Sequence, residues 1–227
     1  MIYFFADDHY GAHPGKNIFE HLSPELKGRI TFEENDWTLL ESGNWLDDCE
    51  LLVLHMIGGT CNLPHPGQNA EAAVRAWCER GGGVFLLHGS SAAFWQWWWW
   101  RGIVGLRWVR PNDPDQVAPS THPVKPYSLR ITKNRHPLSA RLLPFALGAD
   151  EIYTELEQVS PVTVLMDTFI EEGVYPQCCE AITPWGGKMV SFIPGHAPTA
   201  TANGSLIRNV SAIIGYLLEG RKKENCK

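Results

Sequence analysis

The sequence has no apolar window near the roughly 20 residues that a membrane-spanning helix requires. Its opening, Met1-Ile-Tyr-Phe-Phe-Ala-Asp-Asp8, places no basic residues ahead of a short apolar stretch, so it does not read as a signal peptide. Positive charge is in short supply: 19 Lys and Arg against 25 Asp and Glu leave a net charge of −6. That balance offers no basic footprint for nucleic acid or for an anionic membrane surface. The six cysteines follow no regular spacing and two of them, Cys178 and Cys179, are adjacent, so a disulfide framework is not expected. Reduced thiols in a cytoplasmic protein are expected instead. Gly-x-Ser-x-Gly and His-Glu-x-x-His spacings are also absent, which removes the usual serine-hydrolase elbow and zinc-protease helix. Neither an internal repeat nor a linker interrupts the chain, and residues 1–227 are expected to form a single domain.

Short, continuous apolar runs are plentiful. Ile2 to Ala6, Leu51 to Leu54 and Val84 to Leu87 each suit a strand covered on both faces, as in a parallel sheet flanked by helices. Arg29 to Glu34, Val162 to Met166 and Lys188 to Ile193 read as further strands, and Tyr127 to Thr132 alternates like an edge strand. Gln68 to Arg80 is the clearest helix, with Ala72, Ala73, Ala76 and Trp77 on one face and Gly81 as its stop. Asn17 to Lys27 has helical spacing that Pro24 kinks or ends, and Leu206 to Leu218 is a final amphipathic helix. Strand–helix–strand alternation predicts an α/β fold with a mostly parallel, doubly wound sheet. Residues 111–126, with five prolines, read as a long loop that could cover a site.

Four of the apolar runs end in histidine or lead to one: His9, His55, His88 and His196. In a parallel sheet those ends share one edge, where open α/β sheets place their ligands. Imidazole is both a common metal ligand and a general acid or base near neutral pH. The set, with Asp150 and Glu151, therefore suits either a divalent metal such as zinc or proton transfer on a polar substrate. The plainer alternative is that each imidazole bonds a loop carbonyl and closes its own strand.

Three neighbouring features carry weaker signals. Ser90, just beyond His88, either caps a helix that starts there or contacts substrate. Cys61 is the thiol nearest the proposed edge, and an inert, half-buried cysteine is the simpler reading than a thiol hydrolase. Phe94-Trp95-Gln96-Trp97-Trp98-Trp99-Trp100, drawn from ten tryptophans in all, would on a helix pair Phe94 with Trp98 and Trp95 with Trp99. Consecutive rings point around a helix, so the surplus is expected to meet a second copy of the chain, a loop or a sugar face.

Gly81-Gly82-Gly83-Val84, His88, Arg101-Gly102-Ile103-Val104-Gly105, His136-Pro137-Leu138, Asp150-Glu151-Ile152-Tyr153, Pro184-Trp185-Gly186-Gly187-Lys188 and Gly195-His196 occur in one order. That order resembles the ThuA-like (trehalose utilisation) family. The resemblance implies a class I glutamine amidotransferase-like fold, a three-layer sandwich around a flavodoxin-like sheet, and an association with sugar catabolism through keto-sugars. Carried over by position, His88 matches the elbow histidine, Asp150 and Glu151 the acidic pair, and His196 the late Gly-His. Amidotransferase chemistry needs a cysteine at the elbow, where this chain reads His88-Gly89-Ser90, so that activity is not expected. The expectation is a protein that processes a sugar or keto-sugar. His88, Glu151 and His196 are its candidate acid–base groups, Trp95, Trp98, Ser90 and Asp150 its substrate contacts, and His9, His55, His88 and His196 its candidate metal ligands. A non-catalytic carbohydrate-binding or assembly protein is the alternative, and self-association through the tryptophan run is compatible with both.

Overall fold

In the computed structural model, which describes residues 1–58 and 64–222, the apolar runs become neighbouring strands. The first half of the chain contains β1 (Ile2–Ala6), α1 (Pro14–His21), α2 (Pro24–Lys27), β2 (Ile30–Glu34), α3 (Thr38–Ser42) and β3 (Leu51–His55). It continues through α4 (Gln68–Glu79), β4 (Val84–Leu87), α5 (Trp98–Arg101) and β5 (Leu106–Arg107). The second half contains β6 (Val124–Ile131), β7 (Phe145–Glu151), β8 (Glu157–Gln158), β9 (Val162–Ile170), β10 (Gly173–Ile182), β11 (Lys188–Phe192), α6 (Pro198–Thr201) and α7 (Gly204–Lys222).

The main sheet runs β2-β1-β3-β4-β11-β10-β9-β6-β7. From β2 to β11 every pairing is parallel, and from β11 to β7 every pairing is antiparallel. The expected mostly parallel, flavodoxin-like sheet is thus corrected to a mixed one, parallel only at one end. The cause is local. β9 and β10 are joined by only Glu171 and Glu172, too short a connection for a crossover, so they form a hairpin. β6 lies between β9 and β7 rather than at an edge.

Strand alternation divides the core between two apolar clusters. Phe4, Val53, Phe85 and Phe192 join Ile18 of α1 and Val210 and Ile213 of α7. Phe5, Leu54, Leu86 and Met189 join Leu40 of α3, Val74 and Trp77 of α4, and Trp100 of α5. The buried face of α4 is Ala70-Ala73-Val74-Trp77-Cys78, while Ala72 is exposed, so the predicted stripe is turned by about one residue. The helix expected directly after β4 is a 3-10 turn, His88–Ala92, and the helix in the tryptophan run is only α5. Phe94 has φ +53, so the predicted helical pairing with Trp98 does not form; its ring stacks on Trp97 at 3.9 Å. Among the described residues, no helix is long and apolar enough to cross a membrane.

Candidate active site

The carboxyl ends of β1, β3, β4 and β11 lie along one edge, and the loops leaving them carry His9, His55, His88 and His196. His88 is the pivot. It leaves β4 with φ +48, a left-handed conformation that non-glycine residues adopt rarely and that turns its side chain out of the sheet. Gly89 is required next to it: a Cβ there would lie 2.4 Å from Ile57 Cγ2 and 3.0 Å from the Tyr153 hydroxyl. Ser90 holds the turn from beneath. Its hydroxyl lies 2.8 Å from Leu54 O and 2.7 Å from Leu87 O and accepts the Met56 N–H at 2.9 Å. Ser90 is fully buried and does not line the cavity.

His88 Nδ1 lies 2.8 Å from Ile193 O, a contact in which only the nitrogen can donate. Nε2 is left facing the Tyr153 hydroxyl at 3.0 Å and Glu151 Oε2 at 3.3 Å. The other Glu151 oxygen faces His122 Nδ1 at 3.4 Å and His196 Nε2 at 3.7 Å. The His9 ring sits 5.1 Å from His88 and 4.9 Å from His196 between centroids. One nitrogen from each of His9, His88 and His196 falls within a 4.8 Å group. His55 is not in that group; it is buried behind it, 5.7 Å from His88 and 6.3 Å from His9. The expected four-histidine set therefore reduces to three with a fourth behind. Asp150 is likewise placed behind the site. Its carboxylate accepts the backbone N–H groups of Gly195, His196 and Ala197 at 2.9, 3.0 and 2.7 Å, which sets the loop that presents His196.

Electrostatics assign each group a charge state. Burial lowers the His9 pKa to about 3, with the neighbouring His88 and His196 adding to the effect. Burial likewise lowers His196 and takes His55 well below the ordinary imidazole value. Burial alone would raise the Glu151 carboxyl, but its hydrogen bond and charge contact with His88 outweigh this and hold it at about 2. Burial raises the Tyr153 phenol well above its usual value, so it keeps its proton. The result is an ionised carboxylate and a protonated phenol beside His9 and His196, which favour the neutral form.

His9, His196, His122, Glu151 and Tyr153 border a cavity of about 750 Å³, while His88 and His55 are buried behind its wall. Trp95 and Trp108 supply aromatic wall, and Arg110 to Pro114 form part of the rim. Trp98, expected as a second stacking surface, instead is 69% exposed outside the cavity, with the Arg101 guanidinium 4.8 Å from its ring centroid. Trp97 and Trp100 are buried in the core and Trp99 packs half-buried against it, so Trp98 is the exposed ring of the run. Cys61 lies outside the described residues. Tyr153, His122, Trp108 and Arg110 were not singled out from sequence. Tyr153 stood in the quoted Asp150-Glu151-Ile152-Tyr153 motif and was the nearest to being found.

An α/β protein with a histidine–carboxylate cluster at the strand ends is the class that this geometry defines. Residues 4–212 match the ThuA family, described as trehalose utilisation, and the chain belongs to that family. Among solved structures it is similar to a putative ThuA-like protein from Parabacteroides merdae, with 13% identity, 97% of this chain and 90% of that one covered, and a TM-score of 0.76. A putative ThuA-like protein from Bacteroides uniformis gives 14% identity, 95% and 90% coverage and a TM-score of 0.68. A cytoplasmic protein from Salmonella typhimurium LT2 gives 12% identity, 96% and 99% coverage and a TM-score of 0.64. These likenesses establish the fold. No curated protein matches the sequence.

Proposed function

We propose that this chain processes a sugar or keto-sugar by acid–base chemistry in the cavity lined by Glu151, His196 and Tyr153, with His88 buried behind them. The observation that carries the proposal is the meeting of His9, His88 and His196 with Glu151, from four separate parts of the chain, three of them lining one cavity and His88 buried behind it. Membership of a family described as trehalose utilisation supports a carbohydrate substrate.

The roles follow from the charge states. Tyr153 keeps its proton and, turned from His88 Nε2 toward the cavity, can donate it to a carbonyl or leaving oxygen. His196, favoured neutral and partly open to the cavity, can take a proton from a carbon or hydroxyl next to that carbonyl. Glu151, ionised, stabilises whichever imidazole gains the proton. Trp95 offers a flat face to the apolar side of the ring.

The same residues fit a divalent ion such as zinc. The Nδ1 atoms of His9 and His196 lack partners, and the Ile193 carbonyl fixes the His88 ring as a metal-bound imidazole's outer partner would. His9, His88 and His196 would hold the ion, and it would polarise a substrate carbonyl or acidify a bound water. Elemental analysis of untagged protein tests this part: no metal even after supplementation removes it.

Turnover of 3-keto-glucosides tests the main reading. Wild type is expected to turn one over, and His88→Ala to reduce kcat by about 10²–10⁴-fold with the fold retained by circular dichroism. Binding of these sugars without turnover in any form would replace the enzyme by a carbohydrate-binding protein.

A further inference from the structure

Besides the histidines, the described residues lining the cavity include three charged side chains, Asp113, Glu151 and Arg110. Two are engaged by neighbouring side chains. Asp113 is held by Arg101 and Arg107 at 2.8 Å each, and Glu151 by the imidazoles. Arg110 has no ion pair among the described residues. One of its terminal nitrogens donates to backbone oxygens only, to Ile57 O at 2.7 Å and more weakly to Gly58 O and Ala92 O. Those bonds fix the guanidinium, and the Trp95 ring, whose centroid lies 5.2 Å from it, supports one face. Among the described residues, Nε, which is buried, and the other terminal nitrogen make no hydrogen bond.

Burying a guanidinium without a counter-charge is costly, and burial lowers its pKa. Tyr10 and then Asp7 act on it electrostatically, and one Asp7 oxygen takes the N–H groups of Ile57 and Gly58. His65, packed against Trp95, adds no negative charge. A planar, pre-oriented fork at a cavity wall matches a carboxylate or phosphate more closely than a neutral hydroxyl.

We infer that Arg110 is a specificity-determining residue that binds an anionic group on the substrate, so that the cavity takes an acidic or phosphorylated sugar in preference to a neutral one. This rests on the carbohydrate reading above and narrows it. The carboxylate or phosphate binds at Arg110, leaving the sugar ring to lie along Trp95 toward Tyr153 and the imidazoles.

Titration calorimetry with glucose, glucuronate and glucose 6-phosphate tests the inference at low and high salt. In wild type at least one anionic sugar is expected to bind about tenfold or more tightly than glucose, with the advantage shrinking as salt rises. The tighter of the two identifies carboxylate or phosphate as the source. Arg110→Gln is expected to abolish the advantage of the anionic sugar over glucose, and Arg110→Lys to restore part of it. Equal binding of all three sugars by wild type, or an unchanged advantage in Arg110→Gln, overturns the inference. Should Arg110→Gln not fold, competition in wild type decides: inorganic phosphate or acetate must displace the anionic sugar, and failure to do so overturns it. An anion preference without turnover sinks the catalytic reading alone. Turnover of neutral keto-sugars without an anion preference sinks this one alone.

Discussion

His9 shows how a single side chain records the character of the site. It is buried, its Nδ1 lacks a partner, and its pKa is pulled down to about 3. His55 and His196 are lowered as well. In the unfolded chain such imidazoles titrate near 6.5, so below that pH the unfolded state binds more protons than the native one. Their contribution to stability is complete above about 6.5 and is lost as the pH falls toward the native values. Glu151 has the same sign lower down: its contribution is present above the ordinary carboxylate range and disappears as pH falls toward about 2. The urea midpoint is therefore expected to drop between about pH 7 and pH 4, and His9→Gln to flatten that slope. A midpoint constant across this window would contradict a buried neutral His9. At this scale much was legible, because His9, His88 and His196 each follow an apolar run, and Glu151 stands in a motif. Arg110 and His122 were not, since they leave loops whose direction no local pattern fixes.

Elements account for the next level, and the segment from α5 through the loop after β5 is the most informative. Arg101 at the end of α5 and Arg107 in β5 both grip Asp113, and Arg101 also reaches Asp115 while Arg107 reaches Glu157. Further along, Ser120 donates its N–H to Val109 O at 3.0 Å and accepts the Val109 N–H at its hydroxyl at 2.9 Å. The proline-rich stretch expected as a long loop is thus tied to the body at both ends and supplies part of the cavity rim. Asp113→Ala leaves two nearly buried guanidinium groups short of a partner and is expected to cost about 3–5 kcal/mol in urea unfolding. A loss near zero would mean that the remaining acids replace it. Sequence pattern revealed α4, β1, β3 and β4 because their apolar residues are continuous or periodic. β7 and β10 escaped it. β10 carries Pro176, Gln177 and Glu180 and has irregular register between Pro176 and Cys179, which erases the alternation that marks a strand.

For the whole molecule, the decisive fact is that the two halves of the mixed sheet share the site. The parallel half supplies the histidines from its strand ends. The antiparallel half supplies Asp150 and Glu151 from β7, at the far end of the strand order. Asp150 joins them by accepting three N–H groups from the loop after β11. Asp150→Ala would leave those donors buried or half-buried without an acceptor, costing about 1–3 kcal/mol each where water cannot substitute. Turnover is expected to fall more than stability does, because Glu151 and His196 lose their common anchor; paired kinetics and denaturation measure the two. The sequence pattern pointed to the α/β class and the edge where the site lies, but the mixed sheet depends on long-range pairing of β9, β10, β6 and β7 that no window of residues encodes. The arginine clamp on Asp113 has one last consequence, for thermodynamics. A mouth already seated in its final shape need not freeze on ligand arrival, so association would carry little entropic penalty from the chain and a heat-capacity change set by displaced water alone.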